Sequence, residues 1–216
     1  MEREPLSRER VLRAAMDLAD GSGIESLSMR RLAAELGVEA MSLYHHVANK
    51  SDILSGIADM VVDEYDPPEP ETDWKASIRR SAISAYRVLL RHPWAANLLL
   101  SGTTPSTARL RYMDALLGTL RAAGFSADLT DHAYHALDSH IMGFTLWVTG
   151  MNLPSDEEFD ALASGFLAQL PADEMPHLVE HVHQHLKPRD PDDKPEFEFG
   201  LDLLLDGLER LRLAGN

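Results

Sequence analysis

Apolar residues recur at spacings of three and four along most of the chain, which is the period of one face of a helix. Over 8–20 this spacing predicts a first helix with Ser7 as its N-cap. Strand signals are scarce in the rest of the chain. Further predicted helices cover 29–36, 39–47, 52–65, 73–91, 94–100, 107–123, 128–153, 156–170, 172–186 and 197–213. The pattern therefore indicates an all-α protein.

Two short predicted helices near the N-terminus are separated by Gly37 and Val38. Ser28 is a suitable N-cap for the first helix, and Gly37 suits the left-handed C-cap that ends it. The inward-facing positions are Leu32, Ala33 and Leu36 on the first helix and Leu43 and Val47 on the second. This spacing fits a helix-turn-helix, whose second helix enters the major groove of DNA. An ordinary helical hairpin would show the same spacing.

The exposed positions of the second helix are the candidate DNA contacts. They are Glu39, Ala40, Met41, Ser42, Tyr44, His45 and His46. Small, hydroxyl and aromatic side chains of this kind suit base edges, thymine methyl groups and phosphates. Ser28, Arg30 and Lys50 complete the set, with Arg30 and Lys50 as phosphate anchors. Tyr44 could pack in the core instead, and we expect it to contact DNA.

A proline-rich segment at 66–72 divides the chain. Its three prolines cannot continue a helix, so we place a domain boundary there. The expected domains are a DNA-binding domain at 1–65 and a larger helical domain at 73–216.

Composition is that of a soluble globular protein, with 44% hydrophobic and 25% charged residues. We see no apolar run of bilayer-spanning length, no signal peptide and no cysteine, so we expect a cytoplasmic protein without disulfides. The net charge of −15 is unusual for a DNA-binding protein. However, residues 1–50 hold 7 Lys/Arg against 8 Asp/Glu, and the remainder holds 13 against 27. The predicted DNA-binding head is thus nearly neutral, and the body is acidic.

The stretch from Leu27 to Leu54 resembles the DNA-binding region of the tetracycline-repressor family. It carries Leu-Ala-x-x-Leu-Gly-Val, Leu-Tyr-x-His-Val and Asn-Lys-x-x-x-Leu at the family's offsets. Later segments at 102–105, 120–126, 140–144 and 197–208 resemble the C-terminal domain of the branch that includes the tetracycline repressor itself. The resemblance covers almost the whole chain.

This resemblance implies a repressor that binds double-stranded operator DNA as a homodimer, pairs through a four-helix bundle and is released by a small-molecule effector. It implies no cofactor, no resident metal and no membrane partner. The helices that the family wraps around its effector contain the candidate ligand-binding residues Trp94, Asn97, Leu100, Thr103, Tyr112, His135, Ser139, Met142 and Trp147. Each of these could equally be ordinary core or surface.

Two residues argue against a tetracycline held through magnesium. Members that bind this drug place a metal-binding histidine two residues before the Gly-Thr-x-Pro loop, where this chain has Leu100. A drug-binding asparagine of the same relatives aligns near Ser81. We therefore expect an organic, weakly polar effector.

Glycines in the last predicted helix suggest where the dimer forms. Gly200 and Gly207 lie seven residues apart with Leu203 and Leu204 between them, and a glycine face allows a partner helix to approach closely. Simple tolerance of glycine is the alternative. Gly143 in the long preceding helix is a further candidate for the same bundle.

His177, His181 and His185 recur every four residues on one helix face. Histidines at this spacing can chelate a transition metal, so an all-helical metal-dependent enzyme is an alternative function. A solvated polar face explains the same pattern, and we do not expect an enzyme. A third possibility, a dimeric adaptor that has lost DNA binding, is disfavoured by the intact Leu-Tyr-x-His-Val segment.

Overall fold

The computed structural model describes residues 5–70, 73–101, 106–150, 156–171, 173–186 and 194–215, with backbone only at 156–160 and 185. Over these residues the protein is all-α, as predicted. The helices are α1 (Arg8–Ser22), α2 (Met29–Leu36), α3 (Ala40–Leu43), α4 (Lys50–Asp63), α5 (Trp74–Arg91), α6 (Ala95–Ser101), α7 (Thr107–Ala122), α8 (Ala127–Gly150), α9 (Asp156–Leu167), α10 (Pro176–His185) and α11 (Glu196–Leu213).

Local capping explains where several helices begin. The side chains of Ser7, Ser28 and Asn49 each accept a hydrogen bond from the backbone N–H three residues later, which confirms the predicted N-caps Ser7 and Ser28. Asp73 and Ser106 cap α5 and α7 in the same way. Each cap satisfies a backbone donor that has no partner within its helix.

Two helices differ most from their predicted bounds. The predicted helix at 39–47 ends at Leu43 in the structure, because the following N–H groups bond mostly three residues back and form a turn. The predicted helix at 172–186 begins at Pro176. Proline lacks a backbone N–H and is favoured in the first turn, where that N–H would have no partner.

The central helix α4 connects the two parts of the molecule. It packs against α1 on one side and against α6 and α7 on the other. The bundle of α5, α7, α8 and α11 forms the larger part, and the apolar residues of both parts make one continuous core from Val11 to Leu208. A displacement at one end of α4 can therefore be transmitted to its other end, because close-packed interiors transmit displacement.

Candidate DNA-binding surface and effector cavity

Helices α2 and α3 form the turn that the sequence predicted. Gly37 adopts a left-handed conformation with φ 66°, and its N–H together with that of Val38 bonds the last carbonyls of α2. Only glycine adopts this conformation without strain from a Cβ atom. Leu36 and Leu43 are buried on either side of the turn, which fixes α3 against α2 and leaves its outer face in solvent.

Every predicted DNA contact has an accessible side chain. Ser28, Arg30, Glu39, Met41, Tyr44, His45 and Lys50 are exposed, and Ala40, Ser42 and His46 are half-buried. Tyr44 and His45 lie in the turn that follows α3, where His46 bonds back to the Leu43 carbonyl. Tyr44 is 46% exposed, so the structure does not place it in the core.

An ion pair fixes the start of α4 behind this surface. The Arg8 guanidinium donates two hydrogen bonds, of 2.9 and 2.8 Å, to the Asp52 carboxylate, which also accepts the Ala48 N–H at 2.9 Å. These interactions hold the pKa of the Asp52 carboxyl below its usual range, with the Arg8 bonds as the main cause. No local sequence pattern indicates this contact, because the two residues are 44 positions apart.

A small cavity lies between α4, α5, α6, α7 and α8. Its volume is about 20 Å³, enough for a water molecule and far below that of an organic effector. Val62 and Tyr65 line it from α4 and the residues just after it, and Arg109, Tyr112 and Tyr134 line it from α7 and α8. The wall is thus largely apolar and aromatic with a few polar groups, the usual composition of a ligand site.

The polar groups of the cavity are mostly paired with one another. Arg109 lies 3.3 Å from the Asp138 carboxylate and also donates to the carbonyl of Leu99. The hydroxyl of Tyr112 is 3.0 Å from that of Ser81, and burial raises the pKa of Tyr112 to about 12. At neutral pH this phenol is therefore uncharged.

Among the predicted ligand residues, Tyr112 and Met142 line the cavity. Trp94 is buried elsewhere and donates its indole N–H to Asp20. Asn97 and Leu100 are exposed on α6, and Thr103 lies outside the described residues.

His135, Ser139 and Trp147 are exposed on the outer face of α8, which corrects the expectation that they line the cavity. The inner face instead presents Tyr134 and Asp138, each one residue earlier. One residue is a rotation of about 100° around a helix, so a choice that is one position too late selects the wrong face. The apolar phase of α8, set by Ala133, Leu137 and Ile141, would have located it.

The residues proposed for the dimer lie on α8 and α11, which pack against each other. Gly143 and Leu203 are exposed, and Leu204 and Gly207 are half-buried. Gly200 has a role within the protomer, since a Cβ atom there would lie 2.6 Å from the Cε1 atom of His140. The close approach at Gly200 is thus intramolecular.

The histidine face of α10 is on the surface. His177 and His181 are exposed, and the side chain of His185 lies outside the described residues. Within the described side chains, no three metal-ligating residues come together. In the part of the chain with described structure, no helix is long and apolar enough to cross a membrane.

Comparison with known proteins agrees with this architecture along the chain. Residues 11–57 match the family model for the tetR family of bacterial regulatory proteins, and residues 66–212 match that for the tetracyclin repressor-like C-terminal domain. The tetracycline repressor protein class C of Escherichia coli is 32% identical over 98% of this chain and 94% of its own length.

Three solved structures of two relatives show a similar fold. Apo ActR from Streptomyces coelicolor superposes with a TM-score of 0.81 at 27% identity over all of both chains. Its complex with actinorhodin superposes with a TM-score of 0.75 at 27% identity over 98% of this chain and 99% of its own. BioQ in complex with its double-stranded DNA operator gives 0.65 at 26% identity, over 95% of this chain and 99% of its own. The chain therefore belongs to the TetR family of bacterial transcriptional regulators.

Proposed function

We propose that this protein is a transcriptional repressor that binds an approximately palindromic operator as a homodimer and is released by a small organic effector. The observation that carries the proposal is the position of α4. It begins at Lys50, directly behind the exposed surface of α3, and it ends against the internal cavity at Val62 and Tyr65. A ligand that enlarges the cavity must act on the helix that carries the DNA-binding head.

The DNA-binding part of the proposal rests on α3 and its flanks. Seven of the ten predicted contacts are exposed, and the segment 1–50 lacks the negative charge of the rest of the chain. A duplex would therefore meet the head and be repelled by the body. We assign DNA binding to residues 1–65 and effector binding with dimerisation to residues 73–216. BioQ, a relative of the same fold, is known in complex with its operator.

The dimer is assigned to the outer faces of α8 and α11. Trp147, Phe199 and Leu203 are each more than half exposed there, which is unusual for large apolar side chains on one surface. A two-fold axis would place each face against its copy and bury them. Two heads held by one bundle would then meet two half-sites of the operator.

The effector part rests on the cavity and on the ligand complexes of relatives, such as ActR with actinorhodin. We assign a regulatory and not a catalytic function to the chain. We place it in the cytoplasm, where the operator is. Trp94 has a linking role between the two parts. Tyr112 and Met142 are kept as effector contacts.

Selection of bound sequences from random DNA tests this function. The expected result is a two-fold symmetric motif whose affinity falls with rising salt. Binding without sequence preference would contradict a repressor with an operator. A motif without symmetry would contradict the dimer. An operator affinity that no metabolite extract changes would contradict release by an effector.

A further inference from the structure

The Tyr65 hydroxyl lines the cavity without a hydrogen-bond partner among the described residues. Tyr65 is 7% exposed, so the group is buried as well as unpaired. Buried polar groups are almost always hydrogen-bonded, because leaving one unpaired forfeits its interaction with water. Tyr65 follows the end of α4 and forms an edge-on contact with the ring of Tyr112, with 5.3 Å between centroids, which fixes the phenol.

The neighbouring polar groups bond to one another and not to the Tyr65 hydroxyl. Tyr112 bonds Ser81, and Arg109 bonds Asp138 and the Leu99 carbonyl. Among the described residues that line the cavity, Tyr65 thus has the hydroxyl that is left to donate a hydrogen bond to a ligand.

The charge of the cavity limits which guest can bind. Arg109 and Asp138 are 3.3 Å apart and neutralise each other, so a charged ligand would have to break this pair or lie beside a charge of its own sign in a poorly solvated place. The rings of Tyr65, Tyr112 and Tyr134 and the flexible thioethers of Met113 and Met142 suit a flat aromatic body. The guest that fits is uncharged and aromatic.

We propose that the effector is an uncharged aromatic molecule with a carbonyl oxygen at its edge, and that this oxygen accepts a hydrogen bond from the Tyr65 hydroxyl. The proposal deepens the proposed function and rests on it. Burial raises the pKa of Tyr65, so the phenol keeps its proton and can donate at any physiological pH.

The same bond explains how such a guest would act. The cavity of about 20 Å³ must widen to admit any aromatic ring, and Tyr65 and Val62 are the part of its wall that leads directly into α4. A guest held by Tyr65 pushes on the end of α4 while it occupies the space beside Tyr112. Tyr65 would therefore both bind the ligand and transmit its effect to α4.

Three probes of closely similar shape test the chemistry by calorimetry: 2-acetylnaphthalene, 2-isopropenylnaphthalene and 2-naphthoate. The wild-type protein should bind the ketone about tenfold more tightly than the hydrocarbon, the upper range for one neutral hydrogen bond, and the carboxylate most weakly. Tyr65→Phe should remove the preference for the ketone. Tyr86→Phe, which removes the hydroxyl of a half-buried tyrosine outside the cavity, should keep it.

Absence of ketone binding, or a preference for the ketone that survives in Tyr65→Phe, overturns the proposal. Thermal unfolding without any probe gives a second measurement. Tyr65→Phe should keep or raise the Tm, because it removes an unpaired buried hydroxyl, whereas Tyr112→Phe should lower it by breaking the bond to Ser81. A lowered Tm for Tyr65→Phe would mean that the hydroxyl is already satisfied, and would also overturn the proposal.

The operator measurement separates this proposal from the proposed function. If the wild-type protein binds a symmetric operator without probe and shows no ketone preference, the repressor stands and the effector class is wrong. If it shows the ketone preference and binds no operator, the ligand site stands and the repressor function is wrong.

Discussion

The indole N–H of Trp94 donates to the Asp20 carboxylate at 2.6 Å, which joins the segment before α6 to the end of α1. His92 approaches the same oxygen with its Nδ1 atom at 2.8 Å, and its Nε2 atom is 3.3 Å from Glu64 at the end of α4. Both His92 and Trp94 are buried. One carboxylate of the DNA-binding head is therefore held by two groups of the effector-binding part.

Loss of this carboxylate should loosen the connection. Asp20→Ala leaves the buried Trp94 donor without its acceptor, and an unpaired buried group costs about 1–3 kcal/mol. We expect the urea midpoint to fall accordingly. Asp17→Ala, which removes an exposed carboxylate from the same helix, is the matched control and should leave the midpoint unchanged. Equal midpoints for the two variants would show that the bond contributes nothing.

Base readout should depend on Ser42 and Tyr44. Replacing either with Ala should weaken operator binding by about 1–3 kcal/mol and flatten base preference, because contacts to base edges carry energies of this size. Lys50→Ala should weaken binding to all DNA alike and reduce the salt slope by about one unit. Competition with scrambled DNA measures both effects. Wild-type affinity and selectivity in both the Ser42 and Tyr44 variants would rule out this surface.

Dimerisation should depend on Gly207. A Cβ atom at Gly207 meets nothing within 4 Å inside the protomer, so the first carbon of a side chain there causes no clash within it. A buried charge and added bulk each cost about 1–3 kcal/mol or more, enough to dissociate the dimer at micromolar concentration. Gly118→Glu places the same side chain in open space on α7 and is the control. Sedimentation should give a monomer for the first variant and a dimer for the second; a dimer in both would remove Gly207 from the interface.

A tetracycline with magnesium should not be the effector. Leu100, at the position of the relatives' metal-binding histidine, has no lone pair for a cation, and it is half exposed on α6. Ser81 is buried and already paired with Tyr112. Calorimetry with tetracycline and magnesium should show no micromolar binding. Micromolar binding that disappears when the magnesium is chelated would contradict this prediction, whereas binding of an uncharged aromatic ketone in the same assay would agree with it.

The sequence by itself determined the elements whose causes are local. Ser7, Ser28 and Asn49 cap their helices through bonds to an N–H three residues away, and Gly37 ends α2 because its own backbone tolerates a positive φ. Apolar spacing determined the two short helices and their inward faces for the same reason, since residues three and four apart share a face whatever lies opposite. The family resemblance followed from these short-range patterns.

Tertiary structure decided which faces meet and which distant residues pair. The inner face of α8 presents Tyr134 and Asp138 and not His135 and Ser139, because the cavity is defined by four other helices that no local pattern orients. Asp20 and Trp94 are 74 positions apart, and their contact exists only once α1 and α6 have packed against α4. In the sequence, Tyr65 is simply the last residue of a predicted helix. Its unpaired hydroxyl arises because residues from five helices bury it without supplying a partner.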